Sequence, residues 1–294
     1  MGKASRRRAT RHTGSAEHAA APFVRRPFEG LAGETEWVAM REILPAATAT
    51  VRFTADSAPP GSPTEATMAT VLPMAWPGLH RNDDTVLVAT QSGATCGDAS
   101  RDIAGAWLLT VAAPAGTPVL NVPTATAATP RLHDVLDPTV PFEADLQEGF
   151  GFWVGDTELD DEGSESLTRA NESIVPTVRL AGAPSAFWVR FGERCFVRWV
   201  LPQDEDRATD GLARLTSADA NRLNGDARLL GAFRACGLLV PVWEVDPTAE
   251  PESFSDDVAR LAGPLAEAIA DNSALSADER RARNGLLSRQ VTLR

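Results

Sequence analysis

The sequence predicts an α+β fold of largely antiparallel sheets with helices on one face, and three observations predict it. Short β-branched or alternating runs occur in pairs separated by Pro/Gly-rich turns. Runs with apolar residues at helical spacing follow these pairs rather than alternating with single strands. The order of strand and helix signals in residues 28–155 then returns in residues 173–294, which suggests two related ββ…βα halves. With 294 residues, 43% of them hydrophobic, the chain has enough apolar surface for a buried core.

Taken in order, EWVAMREIL places Trp37, Met40 and Leu44 on one face of a short helix that Pro45 ends. The runs TATVRFT (48–54) and ATMATVL (66–72) form a hairpin across a long APPGSP loop. TVLVATQ (85–91) reads as a buried strand, and a helix from Asp98 to Ala112 carries Ile103, Ala106, Trp107 and Leu109 as its apolar stripe. In the second half SIVPTVRL (173–180) matches EILPAATATV, and AFWVRF and RCFVRWVLP pair tightly across Gly192 and Glu193. DEDRATDGLARL (204–215) and GDARLLGAFRACG (225–237) both read as helices. The strand LLVPVWEV and a helix near 255–271 with Val258, Leu261, Leu265 and Ile269 come next. The last helix begins with a capping box formed by Ser276 and Glu279. The matches between halves are short, ILP with IVP and VLP with VLP, and chance also produces such matches.

Charge divides the chain differently. Residues 1–26 hold seven cations and one anion, whereas the whole chain carries a net charge of −12. Residues 1–27 are therefore expected to be a disordered basic tail, with Lys3, Arg6, Arg7, Arg8 and Arg11 as candidate contacts to a polyanion. DTELDDEGSE opens an acidic linker over 156–172. It fails as a calcium loop because Asp161 holds the glycine position and Leu167 the terminal glutamate position. Lys3 is the one lysine and tyrosine is absent, which excludes lysine or tyrosine chemistry in the folded body. The tail lacks the apolar stretch of a secretory signal and no run is long enough to span a bilayer, so a cytoplasmic location and no membrane contact are expected.

Cys96, Cys195 and Cys236 form an odd, widely spaced set that fits a reducing compartment. The body histidines, His80 in HRNDD and His133 in HD, adjoin acids, but neither has metal-ligand spacing, and turn formation is the preferred reading. Gly93-Ala94-Thr95-Cys96-Gly97 lies between a strand and a helix, as a nucleophile elbow would. Thr95 holds its central position, and Cys96 is one residue off. A helix N-terminus would lower the Cys96 pKa, so Cys96 with His133 is the sharpest enzymatic reading, that of a thiol-dependent or hydrolytic enzyme. SGATCGD lacks the lysine of a phosphate loop and GFGFWVG (149–155) lacks the third glycine of a dinucleotide fingerprint, so no cofactor and no metal are expected. Of seven tryptophans, Trp76 in MAWPGLH stands out as a loop residue suited to anchor a partner.

The strings PFEGLAGETEWVAMREILPAATATV, VLDPTVPFEADLQEGFGFWV, RWVLPQDED, FRACGLLVPVWEV and ERRARNGLLSRQVTLR, with the MGKASRRR opening, resemble an uncharacterised actinobacterial family of unknown function. The resemblance runs from about Pro27 to the end of the chain. Labels attached to such chains, preprotein translocase SecA or topoisomerase, find no support: ATPase loops are missing, and so is any tyrosine. The resemblance implies a bacterial cytoplasmic protein and supplies no activity, cofactor or site residue. The expectation is a non-enzymatic binding or adaptor protein whose tail contacts RNA, such as ribosomal RNA, or another polyanion, while the acidic body engages a protein partner.

Overall fold

The first helix begins where only glycine fits. In the computed structural model, which describes residues 19–93, 95–224 and 227–288, α1 (Glu34–Glu42) follows Gly33 at φ 68°. A Cβ there would stand 2.3 Å from the carbonyl oxygen of Phe142. Trp37 on α1 then stacks on the Phe142 ring at 3.7 Å. The predicted hairpin follows as β1 (Ala47–Arg52) and β2 (Glu65–Ala69), antiparallel, with Thr48 opposite Ala69. β3 (Gly78–His80) and β4 (Val86–Ala89) make a second hairpin, and HRNDD supplies its turn, with Asp84 at φ 61°. β4 lies parallel to β2, the one parallel pair among the described strands.

α2 (Ala99–Ala112) is capped by Asp98, whose carboxylate accepts from the Ser100 N–H. Its Ile103, Ala106 and Trp107 are buried as expected, but Leu109 is 39% exposed and Thr110 turns inward instead. The reason is close approach: a Cβ on Gly78 of β3 would stand 1.9 Å from Thr110 Oγ1. A hydroxyl that donates to its own helix at Ala106 O (2.7 Å) fits this gap where a leucine would not. β5 (Thr117–Val119) pairs with β3, a single turn α3 (Leu132–Val135) follows, and β6 (Asp145–Leu146) pairs with β1. The first sheet has the order β5-β3-β4-β2-β1-β6.

The acidic segment is solvent-exposed. It contains α4 (Asp161–Asn171), capped by Asp160 through the Gly163 N–H at 2.8 Å, and none of its residues is buried. Acids in its first turn and Arg169 in its last complement the helix dipole, which supports a helix without a packing face.

After β7 (Thr177–Arg179), the tight hairpin forms as β8 (Ala186–Phe191) and β9 (Arg194–Trp199), with Gly192 at φ 60°. α5 (Glu205–Ser217) agrees with expectation. The second predicted helix does not form: residues 228–235 are strand β10 (Arg228–Ala235), antiparallel to β11 (Leu238–Val245). A bulge between Leu229 and Gly231 adds one residue to the strand, so the two-residue alternation slips and imitates helical spacing. Cys236 at φ 45° and Gly237 at φ 81° form the two-residue turn. α6 (Phe254–Ala270) and α7 (Ala277–Ser288) complete the described chain. The second sheet, β10-β11-β9-β8-β7, is antiparallel throughout.

Helices α5, α6 and α7 cover one face of the second sheet, where Leu212, Val258, Leu261, Leu265 and Leu286 meet Trp188, Val197 and Trp243. The other face of that sheet joins the first sheet. Phe187, Val200, Leu238 and Val240 share one core with Met40, Val51, Met68, Val88 and Trp107. The outer face of the first sheet holds only a small cluster, Leu72, Leu87 and Ala89 beneath Trp76, Phe152 and Trp153. Among the described residues, seven helices and two mostly antiparallel sheets make the fold α+β. Among the described residues no helix is long and apolar enough to cross a membrane.

Candidate functional site

Of the two residues that suggested an enzyme, Cys96 lies in the loop before α2 and His133 on α3, and each is engaged by different partners. The Cys96 N–H donates to Asp102 (3.1 and 3.2 Å), and its thiol donates to the Asp98 carbonyl at 3.5 Å. Burial pushes the Cys96 thiol up, and the Asp102 and Asp98 carboxylates push it further the same way. Burial likewise raises the Asp102 carboxyl, against the pull of Cys96 and Arg41. A helix N-terminus alone would favour a thiolate; here burial, with the two carboxylates behind it, outweighs that effect and raises the thiol pKa.

His133 is engaged elsewhere. Its Nε2 lies 2.7 Å from the Glu29 carbonyl oxygen, which fixes the proton on that nitrogen, and its Nδ1 accepts from Ser100 Oγ at 3.4 Å. Ser100 is fully buried and accepts from the Leu132 N–H at 2.8 Å. Arg131 joins the same network, donating to Asp98 at 3.0 Å and to the Pro27 carbonyl at 2.8 Å. These groups fasten residues 27–29 and 131–133 to the start of α2, and no hydrogen bond joins Cys96 to His133. Thr95 donates nothing inward; its Oγ1 accepts from the Gly97 N–H at 3.3 Å. His80 is buried, with Nδ1 donating to the Ala113 carbonyl at 2.7 Å. Among the described residues no three His, Cys, Asp or Glu side chains gather as a metal site.

Trp76 is half-buried rather than free. It packs on the outer face of the first sheet beside Leu79, Phe152 and Trp153, and the Trp153 indole donates to the Val71 carbonyl at 2.8 Å. The residue of this loop that does project is Met74, 87% exposed, with Met74 and Ala75 at φ 51° and 57°.

The basic segment is shorter than its charge pattern suggests. Residues 19–27 lie on the body: Ala20 bridges to Thr126, Val24 N–H donates to the Gly97 carbonyl at 2.8 Å, and Arg25 pairs with Glu205. Arg26 forms a fork on Glu34 (2.5 and 2.8 Å) and also donates to the Pro202 carbonyl at 2.8 Å. Burial alone would raise the Glu205 carboxyl, but Arg234 and Arg25 hold it below its ordinary value. Lys3, Arg6, Arg7, Arg8 and Arg11 lie outside the described residues.

Sequence reasoning missed the polar contact that joins the two sheets. Glu36 on α1 receives both guanidinium nitrogens of Arg179 from β7 at 2.8 Å, the Ser185 hydroxyl at 2.6 Å and the Ala144 N–H at 3.3 Å. Burial would raise this carboxyl; Arg179 and Ser185 outweigh it and hold it below the usual range. No local pattern announces residues so far apart in the chain.

The fold and these contacts define an acidic α+β protein whose N-terminal segment is rooted at fixed carboxylates on the body. The model of a family of unknown function (DUF5926) matches residues 27–294, and the chain belongs to that family. No curated protein and no solved structure matches it.

Proposed function

We propose that this is a non-enzymatic cytoplasmic binding or adaptor protein. Lys3, Arg6, Arg7, Arg8 and Arg11 contact RNA, such as ribosomal RNA, and the acidic body, with Trp76 as an anchor beside Met74, engages a protein partner. The observation that supports this reading is the rooting of the basic segment. Arg25 and Arg26 are consumed by Glu205 and Glu34, so five cations and one anion in residues 1–18 depart from a fixed point on a body that is itself strongly acidic. A polyanion is drawn to the segment and repelled by the remainder.

Deletion of residues 1–18, which spares the Arg25 and Arg26 contacts, tests this directly. The full chain is expected to bind single-stranded RNA with a salt dependence no steeper than about the 3.5 power of salt concentration, the limit for five phosphate contacts. The deletion variant is expected to lose that binding while keeping its thermal midpoint. RNA binding or ribosome co-sedimentation that survives the deletion unchanged would overturn the reading.

A further inference from the structure

We infer that residues 289–294 (RQVTLR) add a strand along the free edge of β10, with Val291 seated in the cleft between β10 and the end of α7. β10 is the outermost strand of the second sheet, with β11 on its inner side. The two-residue turn at Cys236 and Gly237 makes Ala235 and Leu238 a hydrogen-bonded pair. The backbone groups of Ala235 and Phe233 therefore face β11, and those of Ala232 and Arg234 face away from it. Pro241, which has no N–H to give, stands opposite Ala232 and agrees with this register. Among the described residues, no backbone N–H or C=O of Ala232 or Arg234 meets a backbone partner on the outer side. An edge of this kind is a template for one more strand.

The chain itself runs to this edge. Leu286 and Leu287, the last apolar residues of α7, line the cleft together with Leu212 of α5, Ala232 of β10 and Leu239 of β11. The six residues after Ser288 reach about 20 Å when extended, enough to run antiparallel to β10 from Arg234 back to Leu229. Their alternation suits the place: Val291 and Leu293 fall on one face of a strand, and Gln290, Thr292 and Arg294 on the other. With Val291 opposite Ala232, Leu293 falls beside Leu229. The side chains of Ala232 and Leu229 both belong to the core beneath α5, α6 and α7, so the added strand turns its apolar face the same way.

Size and polarity narrow the occupant to a side chain of this sort. The cleft offers about 20 Å³, and one water needs roughly 10–15 Å³. It therefore admits the branched end of one aliphatic side chain and is too small for a free organic ligand. The polar groups at its border are already met: Arg234 pairs with Glu205, and the Thr209 hydroxyl donates to the Glu205 carbonyl at 2.6 Å. A polar side chain would lose its hydration there without compensation. Backbone bonds to Ala232 and Arg234 hold the added strand, and the cleft fixes its register, because a slip of one residue would exchange Val291 for Gln290 or Thr292.

The test follows hydrogen exchange of the Ala232 and Arg234 amides by NMR, starting from the full chain. Both amides are expected to be protected there and to exchange about tenfold faster or more once residues 289–294 are removed, while the β8 and β9 amides keep their protection. A matched pair of glutamine substitutions reads the register. Val291→Gln puts an amide into the cleft and should speed both amides about tenfold, whereas Thr292→Gln, on the other face, should leave them within about twofold. Val291→Gln also carries the test if the shortened chain fails to fold. Exchange that is unchanged by removal of residues 289–294 or by Val291→Gln, or that both glutamine variants speed alike, overturns the inference. Protection that rises with protein concentration in step with dimer formation would give the edge to a second copy of the chain and overturn it as well. RNA binding by residues 1–18 plays no part in these readouts.

Discussion

The two large cores of the molecule are assembled by different rules. The helix-covered core draws its members from residues after 178, so one stretch of chain supplies both the sheet and its cover. The shared core takes residues from α1, β1, β2, β4 and α2 and completes itself with Phe187, Val200, Leu238 and Val240 of the other sheet. The sheets differ in wiring as well. β1 and β2 are neighbours, whereas their counterparts in chain order, β7 and β9, are separated by β8; β2 and β4 run parallel, whereas β9 and β11 run antiparallel. Similar order along the chain therefore does not impose similar pairing. Two-residue connections at Gly192 and Gly237 force only β8–β9 and β10–β11 to be antiparallel; the long paths leave direction open, and β4 returns parallel to β2 through β3 while β11 returns antiparallel to β9 through α5 and β10.

A tryptophan in each core sharpens this contrast and carries the largest expected effect. Trp107 is fully buried in the shared core and stacks on Phe53 at 3.6 Å, but its indole N–H has no acceptor among the described residues. Trp243, equally buried in the helix-covered core, donates to the Asn221 carbonyl at 2.7 Å. Trp107→Ala should cost about 4 kcal/mol through the cavity it leaves. The phenylalanine variants separate the cores: Trp243→Phe breaks a hydrogen bond and should cost about 1 kcal/mol more than Trp107→Phe, which removes an unmet donor. Denaturant unfolding reads both, and the reverse order would mean that the cores are not distinguished in this way.

The seam between the cores comes next in size. Glu36→Gln leaves Arg179 without its counter-charge and should destabilise the protein by about 3 kcal/mol at neutral pH. The sign with pH follows from the direction of the shift. The folded Glu36 carboxyl lies below its ordinary value of 4.5, so its contribution is complete above that value and is lost as the pH falls through the lower folded one. Glu205 behaves alike. Stability of the native chain should therefore fall in acid below about 4.5, and Glu36→Gln should flatten that limb while leaving the shared part due to Glu205. An acid limb of unchanged slope in the variant would show that the seam does not couple the sheets electrostatically.

What was legible in the sequence was what is encoded locally. The strands AFWVRF and RCFVRWV announce their hairpin through alternation and Gly192, and α2 announces itself through Asp98, Ile103 and Trp107. β10 was illegible because the bulge beside Leu230 disrupts the alternation that would reveal it. The seam was illegible for another reason: Glu36 and Arg179 stand 143 positions apart, and only the finished fold brings them together. The same limit applies to Cys96. Its place before a helix is local and legible in the sequence, whereas the carboxylate of Asp102 turning back onto its N–H is a property of the folded loop.

The smallest expected effect lies at the edge of the helix-covered core. α7 contributes a single buried side chain, Leu286, and is held to α5 by Arg283, which reaches Asp210 at 2.6 Å and Asp206 at 2.8 Å. Its start depends on the reciprocal cap in which Glu279 N–H donates to Ser276 Oγ at 3.3 Å and Ser276 N–H donates to the Glu279 carboxylate at 2.6 Å. Ser276→Ala removes one half of that exchange and should cost about 1 kcal/mol, felt by the helix before it is felt by the sheet. Amide hydrogen exchange across residues 277–288 should accelerate by about fivefold while the β8 and β9 amides keep their protection. Acceleration that spreads equally to β8 and β9 would place α7 inside the cooperative unit, and the helix-covered core would then resemble the shared core in depending on a remote piece of chain for its completion.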